Sequence, residues 1–292
     1  MQAGSVGVWF FTDTMSSPSA AEFAQRVESL GYSHLWLPES TGRNPLAHAA
    51  YLFSQTERLH IATGIANIYH RHPGMMVQSQ NTLAEQSGDR FLLGIGVSHA
   101  PLVEGVRGLS YAKPVATMRQ YLADMAKSPY SAVAPAQAPK TVLAALGPKM
   151  LALSAEMADG AHPYWTTPEH TYGAREILGP AKLLCVEQKV CLETDPAVAR
   201  EAGRGALAMY APLPNYRNNW KRMGFRDEDI DNGGSDKLID ALLAWGDEKA
   251  IAERIQAHHD AGATHVCIQP LRVGGGLGEP DWNVLEAMTP RS

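Results

Sequence analysis

No stretch of this chain is apolar for the roughly 20 residues that a membrane-spanning helix needs. Its Met-Gln-Ala-Gly start also lacks a basic segment followed by an apolar signal core. No membrane partner is expected, and the cytoplasm is the expected compartment. An excess of positive charge is missing too. With 25 Lys and Arg against 30 Asp and Glu, the net charge of −5 offers no basic footprint for nucleic acid. Cysteine is scarce: Cys185, Cys191 and Cys267 cannot all pair, and each lies in an apolar stretch without metal-ligand spacing. They read as reduced core thiols. Charged residues make up 19% against 45% hydrophobic, which excludes a disordered chain and supplies a full core.

The short catalytic signatures are absent as well. The sequence has no GxxxxGK[ST], no HExxH and no GxSxG, so phosphoanhydride, zinc-protease and serine-hydrolase chemistry lose support. Gly94-Ile-Gly96 follows an apolar run as a dinucleotide fingerprint would, but His99 stands in the place of the third glycine and Pro101 interrupts the helix. His70 and His72 share a turn and His258-His259 a helix, with no carboxylate placed to complete a metal site. No metal is expected.

What is present is an alternation. Apolar runs at 6–11, 35–37, 60–69, 91–97, 141–146, 161–165, 184–192 and 264–269 read as strands. The longer ones lack period-two alternation, as when helices cover both faces of a parallel sheet. Helical patterns lie between them. Seven of these open on X-Pro: Ser17-Pro18, Asn44-Pro45, His72-Pro73, Lys113-Pro114, Gly147-Pro148, Thr167-Pro168 and Asp195-Pro196. An α/β fold of the closed (β/α)8 TIM-barrel type accounts for the count, and a doubly wound open sheet shares the same periodicity. Segment 128–139 reads as a surface connection and 212–235 as an insertion before the last strand.

In a barrel, the carboxyl ends of the strands form one mouth. Here that mouth comprises Phe11-Thr-Asp13, Glu39-Ser40, residues 67–72, Val97-Ser-His99, Leu146-Gly147, Tyr164-Trp-Thr166 and Gln269. Aromatic and small residues with a few titratable groups suit a large planar cofactor, its faces against Phe11, Tyr164 or Trp165. The helix beginning at Gly147-Pro148 has an amino terminus able to hold a phosphate.

The strings Ala62-Thr-Gly-Ile-Ala-Asn-Ile-Tyr-His-Arg-His-Pro73, Phe91-Leu-Leu-Gly-Ile-Gly-Val-Ser-His99, Leu146-Gly-Pro-Lys149 and Ala158-Asp-Gly-Ala-His-Pro163 resemble the luciferase-like monooxygenase superfamily. Within it they resemble actinobacterial oxidoreductases assigned to the deazaflavin coenzyme F420, and the similarity runs in order along nearly the whole chain. The resemblance implies one luciferase-like TIM-barrel domain over 1–292, inserted at about 212–235, and a homodimer. It also implies an F420-dependent oxidoreductase that transfers hydride between the deazaflavin and an unidentified small organic substrate. An FMN-dependent monooxygenase is the alternative enzyme, and a non-catalytic flavin- or deazaflavin-binding protein the alternative from another class.

Position by position, the resemblance puts a non-prolyl cis peptide at Gly64-Ile65, with Asn67 following on the same strand, behind the cofactor ring. Val97 and Ser98 match positions flanking the ring, Gly147 a phosphate-contacting glycine, and Tyr164, Trp165 and Thr166 the phosphate-side loop. Glu39 lies near a position that holds an acid or histidine close to the ring. His99 falls near the carboxylate that donates a proton in the sugar-phosphate dehydrogenase branch, and its presence departs from that branch. Glu39 and His99 are the candidate catalytic residues. The residues alone allow plainer readings. Gly64 relieves crowding in a strand, His99 bonds backbone, and Glu39 pairs with Arg43 or Arg71. Tyr164 and Trp165 belong to the core. Arg71, Arg107 and Lys113 meet either solvent or an anionic cofactor tail.

Overall fold

The computed structural model describes residues 4–276 and 278–290. The first half runs β1 (Ser5–Trp9), α1 (Ser17–Ser29), β2 (His34–Leu37), α2 (Pro45–Phe53), β3 (His60–Thr63), β4 (Ala66–Asn67), α3 (Pro73–Ser87), β5 (Phe91–Gly96) and α4 (Pro114–Lys127). Next come β6 (Thr141–Leu143), α5 (Pro148–Met157), β7 (Gly160–Ala161), α6 (Pro168–Leu178), β8 (Leu183–Leu192) and α7 (Pro196–Leu207). The chain then adds α8 (Pro214–Arg222), α9 (Asp227–Ile230), α10 (Asp236–Leu242), β9 (Leu243–Gly246), α11 (Glu248–Asp260), β10 (His265–Pro270) and α12 (Trp282–Ala287). Helices α1 to α7 all begin at the expected X-Pro pairs. The side chains of Ser16, Asn44, Thr167 and Asp195 accept first-turn amides, while proline fills a position whose N–H would be unpaired.

Every strand pairing is parallel, in the order β10-β1-β2-β3-β5-β6-β7-β8, and β8 closes onto β10 in register from His265↔Cys185 to Pro270↔Val190. Closure makes this an eight-position (β/α)8 TIM barrel and excludes the open sheet. The stretch 60–69 is not one strand. β3 stops at Thr63, the Gly64–Ile65 peptide is cis, β4 resumes on β5, and Ile68–His70 forms a 3-10 turn. β5 packs tightly against this bulge. A Cβ on Gly94 would overlap the Thr63 carbonyl oxygen, and one on Gly96 would lie 2.7 Å from Ile65 Cδ1. Thr63 Oγ1 donates to Gly94 O at 2.7 Å and accepts from Gly94 N at 2.9 Å. The glycine pair therefore serves close backbone approach rather than a nucleotide loop.

β9 has no counterpart among the eight apolar runs read as strands from the sequence. Lys189 and Val190 of β8 pair with Gln269 and Pro270 of β10 on one side and with Leu243 and Ala244 of β9 on the other. β9 thus takes the edge of β8 from Lys189 onward, past the last contact on the β7 side, where Glu187 N–H donates to Pro163 O. The insertion at 212–235 is not bare loop, since it carries α8 and α9.

Strand alternation sorts side chains into two cores. Val8, Leu35, Ile61, Leu93, Val186 and Val266 pack outward against the helices, while Trp9, Trp36, Ala62, Leu92, Cys185 and Cys267 fill the lumen. The three cysteines are buried thiols. No helix among the described residues is long and apolar enough to cross a membrane.

Candidate active site

The mouth is roofed by aromatic rings from the β7 end and the insertion. Tyr164 lies 5.4 Å from Tyr210 and 6.2 Å from Tyr216, and Trp9 packs 5.2 Å below Tyr164. Tyr164 Oη donates to Gln269 Oε1 at 2.8 Å, so the 3.0 Å contact with Tyr210 Oη has Tyr210 as donor. Phe11 stands edge-on to Trp9 at 4.8 Å. It also lines, with Ala206, Gln269 and Leu271, a cavity of about 330 Å³. Trp9 Nε1 donates to Gly64 O at 3.0 Å, and a side chain on Gly64 would strike that indole. Ile65 is half-buried and packs against β5 at Gly96.

Glu39 is enclosed. Arg71 grips both its oxygens, at 2.5 and 2.9 Å, the Asn67 N–H reaches Oε2 at 2.6 Å, and His70 Nδ1 stands 3.2 Å from Oε1. Burial pushes this carboxyl up, but Arg71, the Asn67 amide and His70 outweigh it and hold it below its ordinary value. Of the two arginines considered from sequence, Arg71 is the partner. Arg43 bonds Met15 O and Ser17 Oγ instead. Asn67, read as a cofactor contact, uses its side chain to cap the 3-10 turn. Its Oδ1 accepts from Tyr69 N at 2.9 Å and its Nδ2 lies 3.3 Å from His70 Nε2.

His99 sits where β5 runs out, beyond Val97 and Ser98, which are half-buried and the second of which has φ 54°. Its carbonyl accepts from Leu102 N and Val103 N, starting the turn at Pro101–Val106. The imidazole packs 5.5 Å from the Tyr216 ring, and its Nδ1 is buried with no partner among the described residues. Burial lowers its pKa, the Asn215 side chain opposes the shift in part, and the ring is neutral at pH 7. The backbone-bonded loop histidine considered from sequence is not what forms: the ring leaves Nδ1 free.

A second group of residues gathers at the start of α5. Gly147 is its N-cap and supplies no capping side chain, so the first-turn amides keep donor capacity. The Arg222 guanidinium from α8 lies above it, 3.0 Å from where a Gly147 Cβ would stand, and forms no ion pair among the described residues. His170 Nε2 donates to Leu146 O at 2.7 Å. Beyond β7 the chain passes through Trp165, with φ 57°, and Thr166. Trp165 Nε1 and Thr166 Oγ1 are buried without hydrogen-bond partners among the described residues.

Sequence reasoning missed Arg222, His170 and Tyr216, on helices, and Tyr210, in the turn between α7 and α8. It also left unassigned Glu187-Gln188-Lys189, three polar residues in an otherwise apolar strand, which was the signal available. Inside the lumen Lys189 Nζ stands 3.1 Å from Glu187 Oε1, both 1% exposed.

The luciferase-like monooxygenase family matches residues 6–265. A Mycobacterium tuberculosis protein that carries the name coenzyme F420-dependent oxidoreductase is 26% identical, over 85% of this chain and 89% of its own length. An F420-dependent secondary alcohol dehydrogenase in complex with an F420–acetone adduct superposes with a TM-score of 0.76 at 17% identity, over 95% of this chain and 97% of the other. The coenzyme F420-dependent tetrahydromethanopterin reductase of Methanopyrus kandleri superposes with a TM-score of 0.78 at 17% identity, over 98% and 97%. At such identity the two structures establish a shared barrel. With one continuous match along most of its length, this chain belongs to the luciferase-like monooxygenase family.

Proposed function

We propose that this protein is an F420-dependent oxidoreductase acting on a small organic substrate at the carboxyl mouth of its barrel. The observation that carries the reading is the cradle at α5. It combines an uncapped helix start with an Arg222 cation that has no carboxylate partner among the described residues. First-turn amides beside a cation that bonds only the neutral Asn219 amide fit a ring cofactor that carries a phosphate. The names of the Mycobacterium tuberculosis relative and of the two solved structures favour the deazaflavin over FMN.

Bound F420 supplies a ring carbon that gives or takes hydride. Gly147 and Arg222 would hold its phosphate, and Val97, Ser98, Tyr164 and Trp165 would border its ring, with the Gly64–Ile65 bulge behind. His99 handles the proton. Held neutral by burial, it accepts at Nδ1 the proton of a substrate hydroxyl in the oxidative direction and returns it in the reverse. Glu39, ionised and gripped by Arg71, keeps the turn after β4 in place and is read as structural. Tyr164, Tyr210 and Tyr216 exclude water from the reacting atoms.

Separate titrations of purified protein with F420 and FMN, followed by fluorescence, test this. Micromolar F420 binding, with bleaching of the F420 absorbance by a panel of alcohols, supports the reading, and binding of FMN alone overturns it. F420 binding without turnover across alcohols and ketones assigns a carrier instead.

A further inference from the structure

We infer that the Glu187–Lys189 pair inside the barrel is a positioning device for the Tyr164–Thr166 segment and, through it, for the cofactor site. The second half of this inference rests on the function proposed above.

The two side chains point into the lumen from alternate positions of β8, and each is 1% exposed. Glu187 Oε1 receives Lys189 Nζ at 3.1 Å, and Oε2 accepts the backbone N–H of Trp165 at 3.2 Å. The remaining ammonium surface faces aromatic rings: Lys189 Nζ stands 3.7 Å from the centre of Tyr164 and 3.9 Å from that of Trp165. A third ring, Tyr210, lies farther off at 5.6 Å, and the nearer contacts made outside the pair end on Tyr164 and Trp165.

Placing an ion pair in a lumen is not an economical way to gain stability. Desolvating two charges commonly exceeds their attraction, and apolar side chains of similar volume hold a core as well or better. Burial accordingly pushes the Glu187 carboxyl up and the Lys189 ammonium down to about 8, against the attraction between them. What the pair provides is orientation. Trp165 has φ 57°, in the left-handed region that side chains disfavour, so its conformation needs holding from outside. Glu187 accepts from its N–H, and Trp220 Nε1 donates to its carbonyl at 3.1 Å. Lys189 fixes the tilt of both rings from below. The unpartnered Trp165 Nε1 and Thr166 Oγ1 lie on the segment so held.

The test compares E187L/K189M, which removes both charges at similar volume, with E187Q/K189M, which keeps an acceptor for Trp165 N–H, and with K189R, which keeps the cation. Readouts are F420 dissociation constants, thermal midpoints, and near-UV circular dichroism of the cofactor-free proteins. For E187L/K189M we expect a midpoint close to that of the parent, an altered tryptophan dichroism band, and F420 binding weakened about tenfold or more. E187Q/K189M should fall between that variant and the parent, and K189R should restore binding to within about threefold of the parent. A folded E187L/K189M that binds F420 as the parent does, with unchanged dichroism, overturns the inference. If E187L/K189M does not fold, parent-like binding by E187Q/K189M overturns the part assigned to the cation. If the parent itself binds no F420, the functional reading fails, and the dichroism comparison still decides whether the pair positions the segment.

Discussion

The indole N–H of Trp36 donates to His265 Nε2 at 3.0 Å, which fixes this buried ring as the Nδ1–H tautomer, its proton directed at Ser5 Oγ 2.9 Å away. A second imidazole, His162, stacks on Trp36 with ring centres 4.3 Å apart, and its Nδ1 donates to Cys185 O at 2.8 Å. The lumen of this barrel is thus packed with neutral histidines where branched aliphatic side chains are usual.

Acid lability follows. Burial is the first cause that pushes His265 and His258 down to about 3 and His162 to about 4. In the unfolded chain each titrates near ~6.5, so below that pH the unfolded state binds protons that the native state refuses. Stability from these groups is full above about pH 6.5 and falls from there toward about pH 4, by about 1.4 kcal/mol per pH unit for each ring. Denaturant midpoints across this window should fall steadily, and His258→Gln should flatten the slope. A pH-independent midpoint would show that these rings charge without unfolding.

Glu39→Gln tests the structural reading of that carboxylate. It leaves Arg71, whose side chain is 10% exposed, without its counter-charge. Unfolding in urea should show a loss of about 3 kcal/mol, with the pH dependence of turnover retained. A variant of unchanged stability whose pH profile loses a limb would return Glu39 to the proton-transfer role.

Two glycines should respond in opposite directions. Gly94→Ala drives a methyl into the Thr63 carbonyl and should cost about 2–3 kcal/mol. Gly173, on the exposed face of α6, meets nothing within 4 Å, and its replacement by Ala should stabilise by up to about 1 kcal/mol. Thermal midpoints of the pair decide both.

Arg222→Met should weaken F420 binding about tenfold, equivalent to about 1.4 kcal/mol, and should reduce its salt dependence. The deazaflavin riboside without the phosphate should bind both proteins alike. Equal loss for both ligands would place Arg222 against the ring instead.

His99→Asn should slow turnover by about 100-fold or more and abolish the acid limb of its pH profile. With the imidazole lowered by burial, that limb in the parent should lie below pH ~6.5. Turnover unchanged at every pH removes His99 from proton transfer.

The barrel was legible in sequence because its signals are local. Uniform apolar runs such as 91–97 and X-Pro starts such as Gly147-Pro148 depend only on nearby residues. β9 was not legible, because Leu243-Ala-Trp-Gly246 extends an apolar helical pattern and becomes a strand only through the edge that β8 offers. The same limit governs the site. His99 and Gly147 stand at strand ends and could be placed by register, whereas Arg222 comes from an aperiodic insertion and reaches Gly147 only in three dimensions. Glu39 was visible, but its choice of Arg71 over Arg43 depends on the turn geometry that Asn67 caps.

The chain leaves the wall at the end of β8 and, through β9, comes back beside the same rung, Leu192 against Gly246. An excursion that departs and lands at one place imposes no length on the ring of strands. Everything between 193 and 242, including Tyr210, Tyr216 and Arg222, behaves as a cassette over the mouth. Exchanged for the corresponding stretch of a relative, it would leave barrel closure intact, and the Arg222 contact at Gly147 and the range of molecules admitted would travel with it together.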